Sequence, residues 1–264
     1  QMNLVLHEIE HALGVDHQMK RSDRDPYLRV YENNIVAGIR TQYQKEMTGR
    51  QTFNLPYEYG SIMHYTGNRA TNADYQNSMG ILRRIYISKT GSQEATNLRS
   101  WTSRSSTFST TALCRAQLPC KNYGYTHPKK CNVCICPEGW GGAYCDQNPA
   151  GAVVMTATQT FQRGQISYGG AASNVAQNRA YIINAPAGKR VELKFDSLSS
   201  TDYLPSCEKN GIEIKTKTND LRPRGIRFCG PVTPPKSYYS DGNKMVIMAF
   251  YYSGQVTGSF QYRY

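Results

Sequence analysis

A chain of 264 residues, of which 39% are hydrophobic, is long enough to form two or three domains with packed cores. Its eight cysteines, an even number, indicate disulfide bonds and an oxidising, extracellular compartment. The net charge of +12 comes with no nucleic-acid-binding motif, and no apolar run approaches the roughly 20 residues that span a bilayer, so neither nucleic-acid binding nor a membrane span is predicted.

The first element is a predicted helix over residues 1–13 with two histidines four residues apart. This spacing places His7 and His11 on one face, where both imidazoles can reach one metal ion. Gly14 permits a left-handed turn that brings His17 round as a third nitrogen ligand. Three nitrogens leave the fourth tetrahedral position of a zinc ion to water, whose pKa zinc lowers to about 7. Glu8 is then placed to take a proton from this water and pass it to a leaving amine.

A helix with incidental histidines is the alternative interpretation. The chain contains five histidines, and three of them occupy this one pattern at fixed offsets. We therefore predict one Zn²⁺ per chain. The following residues, 25–54, are predicted to form irregular loop with one or two short elements.

Two stretches carry a family resemblance. The pattern H-E-x-x-H-x-x-G-x-x-H over His7–His17 resembles the metzincin signature, and R-S-D-R-D over Arg21–Asp25 resembles its continuation in the astacin family of zinc metalloproteases. The stretch Y-E-Y-G-S-I-M-H-Y over Tyr57–Tyr65 resembles the astacin Met-turn. The resemblance implies that Met63 is a hydrophobic floor under the zinc and that Tyr65 is a distant fifth ligand that can swing to stabilise the tetrahedral intermediate. Core packing is the alternative for both side chains.

The resemblance covers the lower half of an α+β metzincin catalytic domain, clearly over residues 1–79 within a domain assigned to residues 1–99. Only six residues precede His7, so we predict that the N-terminal half, with the edge strand that aligns the substrate, is missing. Gln18 stands where the family commonly has a glutamate, and Glu10, charged where a small or apolar residue is usual, is predicted to face solvent. An apolar surface of the helix lies beside the ligand face and consists of Leu4, Val5, Leu6, Ile9, Ala12 and Leu13.

Residues 81–113 show no resemblance to the family. Residues 100–113 are rich in serine and threonine and are predicted to form a linker. A degraded or misassembled gene segment is the alternative.

Six cysteines follow in the spacing C-x5-C-x10-C-x2-C-x-C-x8-C. About 32 residues are too few for a hydrophobic core, so disulfides must hold this segment together, although spacing alone leaves their pairing open. Residues 114–146 resemble an EGF-like module, and a zinc knuckle is the alternative. No calcium is predicted there, because acidic residues are absent before Cys114. The resemblance implies the pairs Cys114–Cys131, Cys120–Cys134 and Cys136–Cys145.

Residues 149–264 are predicted to form an antiparallel β-sandwich of half-buried strands. Apolar and polar residues alternate at 191–195, at 212–215 and at 260–264, and the apolar run Met245–Tyr252 suits a buried strand. The sequence around Cys207 and Cys229 resembles a CUB domain, which implies recognition of substrate or matrix through loops, with a plain spacer as the alternative. No calcium is expected, because Asn210 and the region 252–254 replace the acidic residues of calcium-binding CUB domains.

The order of these parts resembles the secreted astacin metalloproteases of nematodes. It implies a secreted zinc endopeptidase that acts on proteins or peptides, with extracellular matrix or cuticle proteins as partners of the CUB domain. The alternative is an inactive fragment that serves as an EGF and CUB binding module.

Overall fold

The computed structural model describes residues 2–46, 52, 55–65, 78–81, 114, 116–201, 207, 209–222, 225–230 and 237–264. The chain divides into two compact units, Gln1–Ala112 and Leu113–Tyr264. The predicted linker at 100–113 lies outside the described residues. Among the described residues, no helix is long and apolar enough to cross a membrane.

The first unit begins with helix α1, Met2–Ala12, which ends in a left-handed turn. Gly14 has a φ of +84°, a conformation that residues with side chains resist. The N–H of Gly14 donates to the His11 carbonyl at 2.9 Å, and the N–H of Val15 donates to the Glu10 carbonyl at 2.9 Å. These two bonds form a Schellman motif, which satisfies the last helix carbonyls and reverses the chain. The predicted turn at Gly14 is confirmed.

Short elements follow the helix and enclose a small core. The 3₁₀ helices are Gln18–Lys20, Glu32–Asn34 and Ala37–Tyr43. Strand β1, Leu28–Val30, pairs antiparallel with β2, Met79–Ile81. The Arg24 guanidinium is buried and donates to the carbonyls of Met19 and Tyr43, which ties two of the 3₁₀ helices together. The core contains Met19, Leu28, Ile35, Tyr43, Tyr57 and Met79.

The two sides of α1 differ in their exposure to solvent. The apolar residues Val5, Ile9 and Leu13 are 55%, 48% and 43% exposed. Glu10 is 7% exposed, so the prediction that it faces solvent is wrong. That prediction considered spacing within the helix alone, whereas burial at Glu10 comes from the rest of the protein.

The second unit begins with the cysteine-rich segment, residues 114–146. Strands β3, Tyr125–His127, and β4, Lys130–Ile135, pair antiparallel. Four disulfides are present in this unit, and three of them lie in this segment. They are Cys114–Cys131, Cys120–Cys134, Cys136–Cys145 and, further along the chain, Cys207–Cys229. The first three are the pairs that the resemblance implies.

The rest of the second unit is a sandwich of two sheets. One sheet has the order β10-β9-β12-β7-β5 and the other the order β11-β8-β13-β6. Their strands are β5 Val153–Thr156, β6 Gln162–Gly170, β7 Gln177–Asn184, β8 Glu192–Ser200, β9 Asn210–Lys215, β10 Ile226–Phe228, β11 Tyr238–Tyr239, β12 Lys244–Tyr251 and β13 Gly254–Arg263.

Alternation along the strands builds the main core between the sheets. Leu193 and Phe195 on β8 are buried while Lys194 is exposed, as the sequence predicts. The buried strand predicted at 245–252 is confirmed as β12, in the centre of its sheet. One pairing differs from the antiparallel prediction, since β5 runs parallel to β7. The chain crosses to the other sheet for β6 between these two strands, so no hairpin constrains their direction.

Strand β9 also departs from the prediction, because every residue from Asn210 to Lys215 is buried. Ile212 and Ile214 face the main core, and Glu213 and Lys215 lie on the opposite face. On this side of the sheet, Glu138 of the cysteine-rich segment lies 3.6 Å from the Lys215 ammonium, and Trp140 packs against a second core of Ala180, Ile182, Leu221, Val246 and Met248. The half-buried pattern was therefore wrong for β9, since a neighbouring segment covers its polar face.

Candidate metal centre

Three histidine side chains converge at the C-terminal end of α1. The Nε2 atom of His17 lies 3.2 Å from the Nε2 of His11 and 3.2 Å from the Nε2 of His7. Zinc–nitrogen bonds of 2.0–2.1 Å in tetrahedral geometry place ligand nitrogens roughly 3.3–3.4 Å apart. In the described part of the chain, this is the group of three or more His, Cys, Asp or Glu side chains that could hold a metal ion.

Hydrogen bonds to the other ring nitrogens fix which atoms are free to bind a metal. The Nδ1 of His7 donates to the Ile62 carbonyl at 2.8 Å, and the Nδ1 of His11 donates to the Val15 carbonyl at 2.9 Å. Each Nε2 therefore carries a lone pair, and both lone pairs approach the Nε2 of His17. A proton on His17 could satisfy one of these contacts, whereas a cation satisfies all three nitrogens. The residues present thus fit a zinc ion.

His17 is held neutral and in place by its surroundings. Burial, together with the nearby His11 and His7, lowers the pKa of His17 to about 4. Its backbone N–H donates to the Asp16 carboxylate at 2.7 Å. Burial opposes ionisation of Asp16, but the hydrogen bond from Lys20 outweighs it together with the other bonds, and the pKa of Asp16 falls to about 2. A neutral imidazole is the form that binds metal near pH 7.

The backbone of the Met-turn is hydrogen-bonded to one ligand, His7, and to the residue that follows another, His17. Its Ile62 carbonyl accepts the bond from His7, and its Met63 carbonyl accepts a bond from the Gln18 N–H at 2.8 Å, one residue after His17. Met63 itself is 1% exposed. Consecutive carbonyls therefore hold the helix and the returning chain to the same turn.

The remaining predicted residues lie beside this cluster. The ring of Tyr65 packs against the His17 ring, with centroids 4.4 Å apart. Glu8 follows His7 on α1, and its side chain is exposed. A carboxylate and a phenol next to three metal-ligating nitrogens can supply proton transfer and a hydrogen-bond donor for hydrolysis.

Two further residues at the site were not predicted from the sequence. His64 lies between Tyr57 and Tyr65, with hydrogen bonds to both, and burial lowers the pKa of His64 to about 4. Both residues lie within the stretch that resembles the Met-turn. Because the turn is irregular, no periodicity in the sequence indicates that residues 57 and 64 touch.

The two positions that replace acidic residues in the sandwich are adjacent. The Asn210 side-chain amide donates to the Ser253 carbonyl at 2.7 Å and to the Thr201 hydroxyl at 2.7 Å. Asn210 is fully buried. An amide thus joins these two loops directly.

Two protein families match this chain in sequence, one near each end. Residues 1–98 match Astacin (Peptidase family M12A), and residues 151–264 match the CUB domain. The family match therefore continues to residue 98, and the expectation of no resemblance from residue 81 onward is wrong for residues 81–98. Zinc metalloproteinase nas-29 of Caenorhabditis elegans is 30% identical over 267 residues, which cover 98% of this chain and 49% of that protein. Zinc metalloproteinase nas-31 of the same organism is 32% identical over 265 residues, covering 97% of this chain and 43% of that protein.

One solved structure is similar mainly in sequence. High choriolytic enzyme 1, a hatching enzyme zinc-protease from the medaka fish Oryzias latipes, is 33% identical over 32% of this chain and 42% of its own, with a TM-score of 0.31. The chain spans about half or less of the length of these curated relatives.

Proposed function

We propose, starting from the astacin domain at residues 1–98, the CUB domain at 151–264 and the homology to nematode zinc metalloproteinases, that this chain is part of a secreted zinc metalloendopeptidase. The observation that carries the proposal is the convergence of three imidazole nitrogens, with the Nε2 of His17 3.2 Å from each of the other two and two of the rings held by backbone carbonyls. One Zn²⁺ is held by His7, His11 and His17. When bound, zinc lowers the pKa of a water molecule and polarises the peptide carbonyl.

The residues around the cluster divide the work of hydrolysis. Glu8 accepts a proton from the attacking water and delivers it to the nitrogen of the leaving amine as the peptide C–N bond breaks. Its exposed position on α1, next to His7, leaves its carboxylate accessible to water and substrate. Tyr65, packed on His17, donates its phenolic hydrogen to the oxyanion that develops on the carbonyl. Met63 forms an apolar floor below the ligands, a role supported by its burial.

The second unit is proposed to recognise partners outside the cell. Residues 114–146 act as an EGF-like module, supported by three disulfides in a segment with little apolar core. Residues 149–264 act as the CUB domain and bind extracellular matrix or cuticle proteins through their loops. The disulfides support secretion, since such bonds persist in oxidising compartments.

A second candidate function is a binding protein without protease activity. The observation that favours it is the exposed apolar side of α1, formed by Val5, Ile9 and Leu13. On this side, the helix that carries two metal ligands and Glu8 leaves apolar side chains 43–55% exposed, and exposed apolar surface of this kind marks an interaction site.

The deciding experiment measures zinc content and peptide hydrolysis of the whole chain beside Glu8→Gln, with the exposed Glu32→Gln as the matched control. One zinc per chain, with cleavage lost in Glu8→Gln and kept in Glu32→Gln, supports the protease. Bound zinc without cleavage in any form supports the binding protein. A chain that binds no zinc contradicts the proposed metal site.

A further inference from the structure

Side-chain hydrogen bonds link Tyr57, His64 and Tyr65 in a row. The hydroxyl of Tyr57 lies 2.7 Å from the Nε2 of His64, and the Nδ1 of His64 lies 2.7 Å from the Tyr65 carbonyl. A carbonyl can only accept, so the Nδ1 of His64 carries the hydrogen. The Nε2 of the neutral ring then accepts the Tyr57 O–H. The row therefore has one direction, from the Tyr57 hydroxyl through the imidazole to the Tyr65 backbone.

Two backbone carbonyls between Tyr57 and Tyr65 form hydrogen bonds with His7 and with the residue after His17. The carbonyls of Ile62 and Met63 accept bonds from His7 and from the N–H of Gln18. Ser61 closes the turn, since its side-chain oxygen accepts the Met63 N–H at 3.1 Å and its carbonyl accepts the His64 N–H at 3.0 Å. The carbonyl of Tyr65 lies two residues beyond that of Met63, and the His64 side chain donates to it. The turn thus positions both ligands and Tyr65 from one short segment.

From this arrangement we infer that Tyr57 and His64 are positioning residues that act through Tyr65 and hold its phenol against His17. The inference rests on the proposed function, because the phenol has a chemical role only if the histidines hold zinc. A hydrogen-bond donor stabilises an oxyanion only when it is held close to its productive position. The hydrogen bonds from Tyr57 through His64 restrain the backbone of Tyr65, the residue that carries the phenolic donor.

The surroundings of Tyr57 allow its hydroxyl to be tested apart from its ring. The Tyr57 ring stacks on Tyr27 at 4.7 Å and contacts Tyr59 edge to face at 5.2 Å. Tyr57→Phe keeps these ring contacts and removes the bond to His64. Tyr59→Phe is the matched control, because it also removes one hydroxyl bond of the same cluster, the 2.8 Å bond to the Tyr27 carbonyl. A general loosening of the cluster affects both variants alike.

The first measurement needs neither zinc nor turnover. In the whole chain with labelled tyrosine and histidine rings, NMR detects the contact between the rings of Tyr65 and His17 and the tautomer of His64. We expect the Nδ1–H tautomer, and loss of the ring contact in Tyr57→Phe but not in Tyr59→Phe. His64→Asn, which keeps a donor for the Tyr65 carbonyl but cannot reach Tyr57, is expected to lose it too. An unchanged contact in Tyr57→Phe, or equal losses in both tyrosine variants, overturns the inference.

The second measurement is a double-mutant cycle on peptide hydrolysis. Tyr57→Phe is expected to lower kcat about tenfold in the otherwise unchanged chain, the size of effect seen when outer-shell partners of a metal site are removed. In a Tyr65→Phe background the same change is expected to cost less than about twofold, since its target is gone. Equal losses in both backgrounds overturn the inference and leave the protease standing. A chain without turnover contradicts the proposed function, and the NMR contact then decides the inference alone.

Discussion

Two clusters of titratable side chains in this protein are shielded from water, but they differ in how their polar atoms are satisfied. On the outer face of β9, Glu213 accepts a hydrogen bond from Arg227 at 2.8 Å and pairs with Lys215 at 2.9 Å. Lys215 also donates to the Leu221 carbonyl. We call Glu213, Lys215 and Arg227 the β9 charge cluster. In the three-histidine cluster, by contrast, three Nε2 atoms converge with at most one hydrogen to share.

The β9 charge cluster is satisfied by the protein's own side chains, whereas the three-histidine cluster has the arrangement of a metal-binding site. In the β9 charge cluster, Lys215 and Arg227 share the Glu213 carboxylate, and Lys215 also lies 3.6 Å from the Glu138 carboxylate, so the protein itself supplies the partners of these buried charges. Converging lone pairs repel one another, and backbone carbonyls hold the rings of His7 and His11 in that arrangement. The fold therefore holds three nitrogen atoms in an arrangement that a bound cation would stabilise.

The largest expected effect is the loss of zinc affinity when one ligand nitrogen of the three-histidine cluster is removed. His11→Ala is expected to weaken zinc binding by about 4–5 kcal/mol, which is roughly a third of the 10–16 kcal/mol found for structural zinc sites. The matched control is His127→Ala, which removes a histidine of the cysteine-rich segment far along the chain. Competition with a coloured chelator measures both affinities. Equal affinities in His11→Ala and the unchanged chain mean that the cluster does not bind the metal.

Removing the carboxylate of the β9 charge cluster is expected to have the next largest effect. Glu213→Gln leaves two buried or nearly buried cations, Lys215 and Arg227, without the carboxylate that they share. We expect the free energy of unfolding of the second unit to fall by about 3 kcal/mol, as measured by denaturant titration. In Glu138→Gln, which alters a half-exposed carboxylate 3.6 Å from Lys215, the expected loss is below about 1 kcal/mol. Similar losses of stability in the two variants would mean that Glu213 is not the group that compensates Lys215 and Arg227.

The contrast between these clusters also marks how far the sequence alone predicts the molecule. The histidine spacing and Gly14 are local patterns whose geometry follows from helix pitch and turn conformation, and in the structure the three histidine side chains lie together beyond the turn at Gly14. The alternation along β8 is local in the same sense. In these places the residues that decide the structure are close together in the sequence.

The misses arise where the periodicity of one element does not decide the outcome. Glu10 and the polar face of β9 are buried against the pattern of their own elements, and Tyr57 and His64, only seven residues apart, meet across an irregular turn that has no period. The parallel pairing of β5 with β7 depends on the order in which the chain visits the two sheets. Patterns of hydrophobicity report the exposure that an element would have by itself, so they miss cover supplied by another segment.

A smaller effect is expected from uncovering the outer face of β9. Trp140 connects the cysteine-rich segment to the second core, and Trp140→Ala is expected to lower the free energy of unfolding of the second unit by about 2 kcal/mol, below the usual range for a fully buried aromatic. Tyr144→Ala removes an aromatic ring that is 44% exposed in the same segment and is expected to cost much less. If the two variants lose the same stability by denaturant titration, the ring of Trp140 is not part of the second core.

The smallest expected effect is a pH dependence at the edge of this cover, where Lys244 places its ammonium 3.6 Å from the centroid of the Trp140 ring. Burial lowers the pKa of Lys244 from 10.5 to about 8. Between these values the unfolded chain binds the proton more often than the folded one, so stability must rise with pH from about 8 to about 10.5. Burial alone is worth about 3 kcal/mol over this window. The face of the indole favours the charged form by about 2 kcal/mol, which raises the pKa of Lys244 back toward 10.5 and leaves a net gain of about 1 kcal/mol in the upper part of this window.

Lys244→Met isolates this contribution, because tyrosines that titrate in the same range are present in both proteins. The free energy of unfolding, measured at pH 7.5 and pH 10.5, is expected to rise less in Lys244→Met than in the unchanged chain by about 1 kcal/mol. At pH 7.5 the variant is expected to be the more stable of the two, since it buries no charge. A variant that gains as much stability on raising the pH as the unchanged chain shows that the ring compensates the whole burial cost. In that case the Trp140 ring compensates the buried charge of Lys244 as fully as the Glu213 carboxylate compensates those of Lys215 and Arg227.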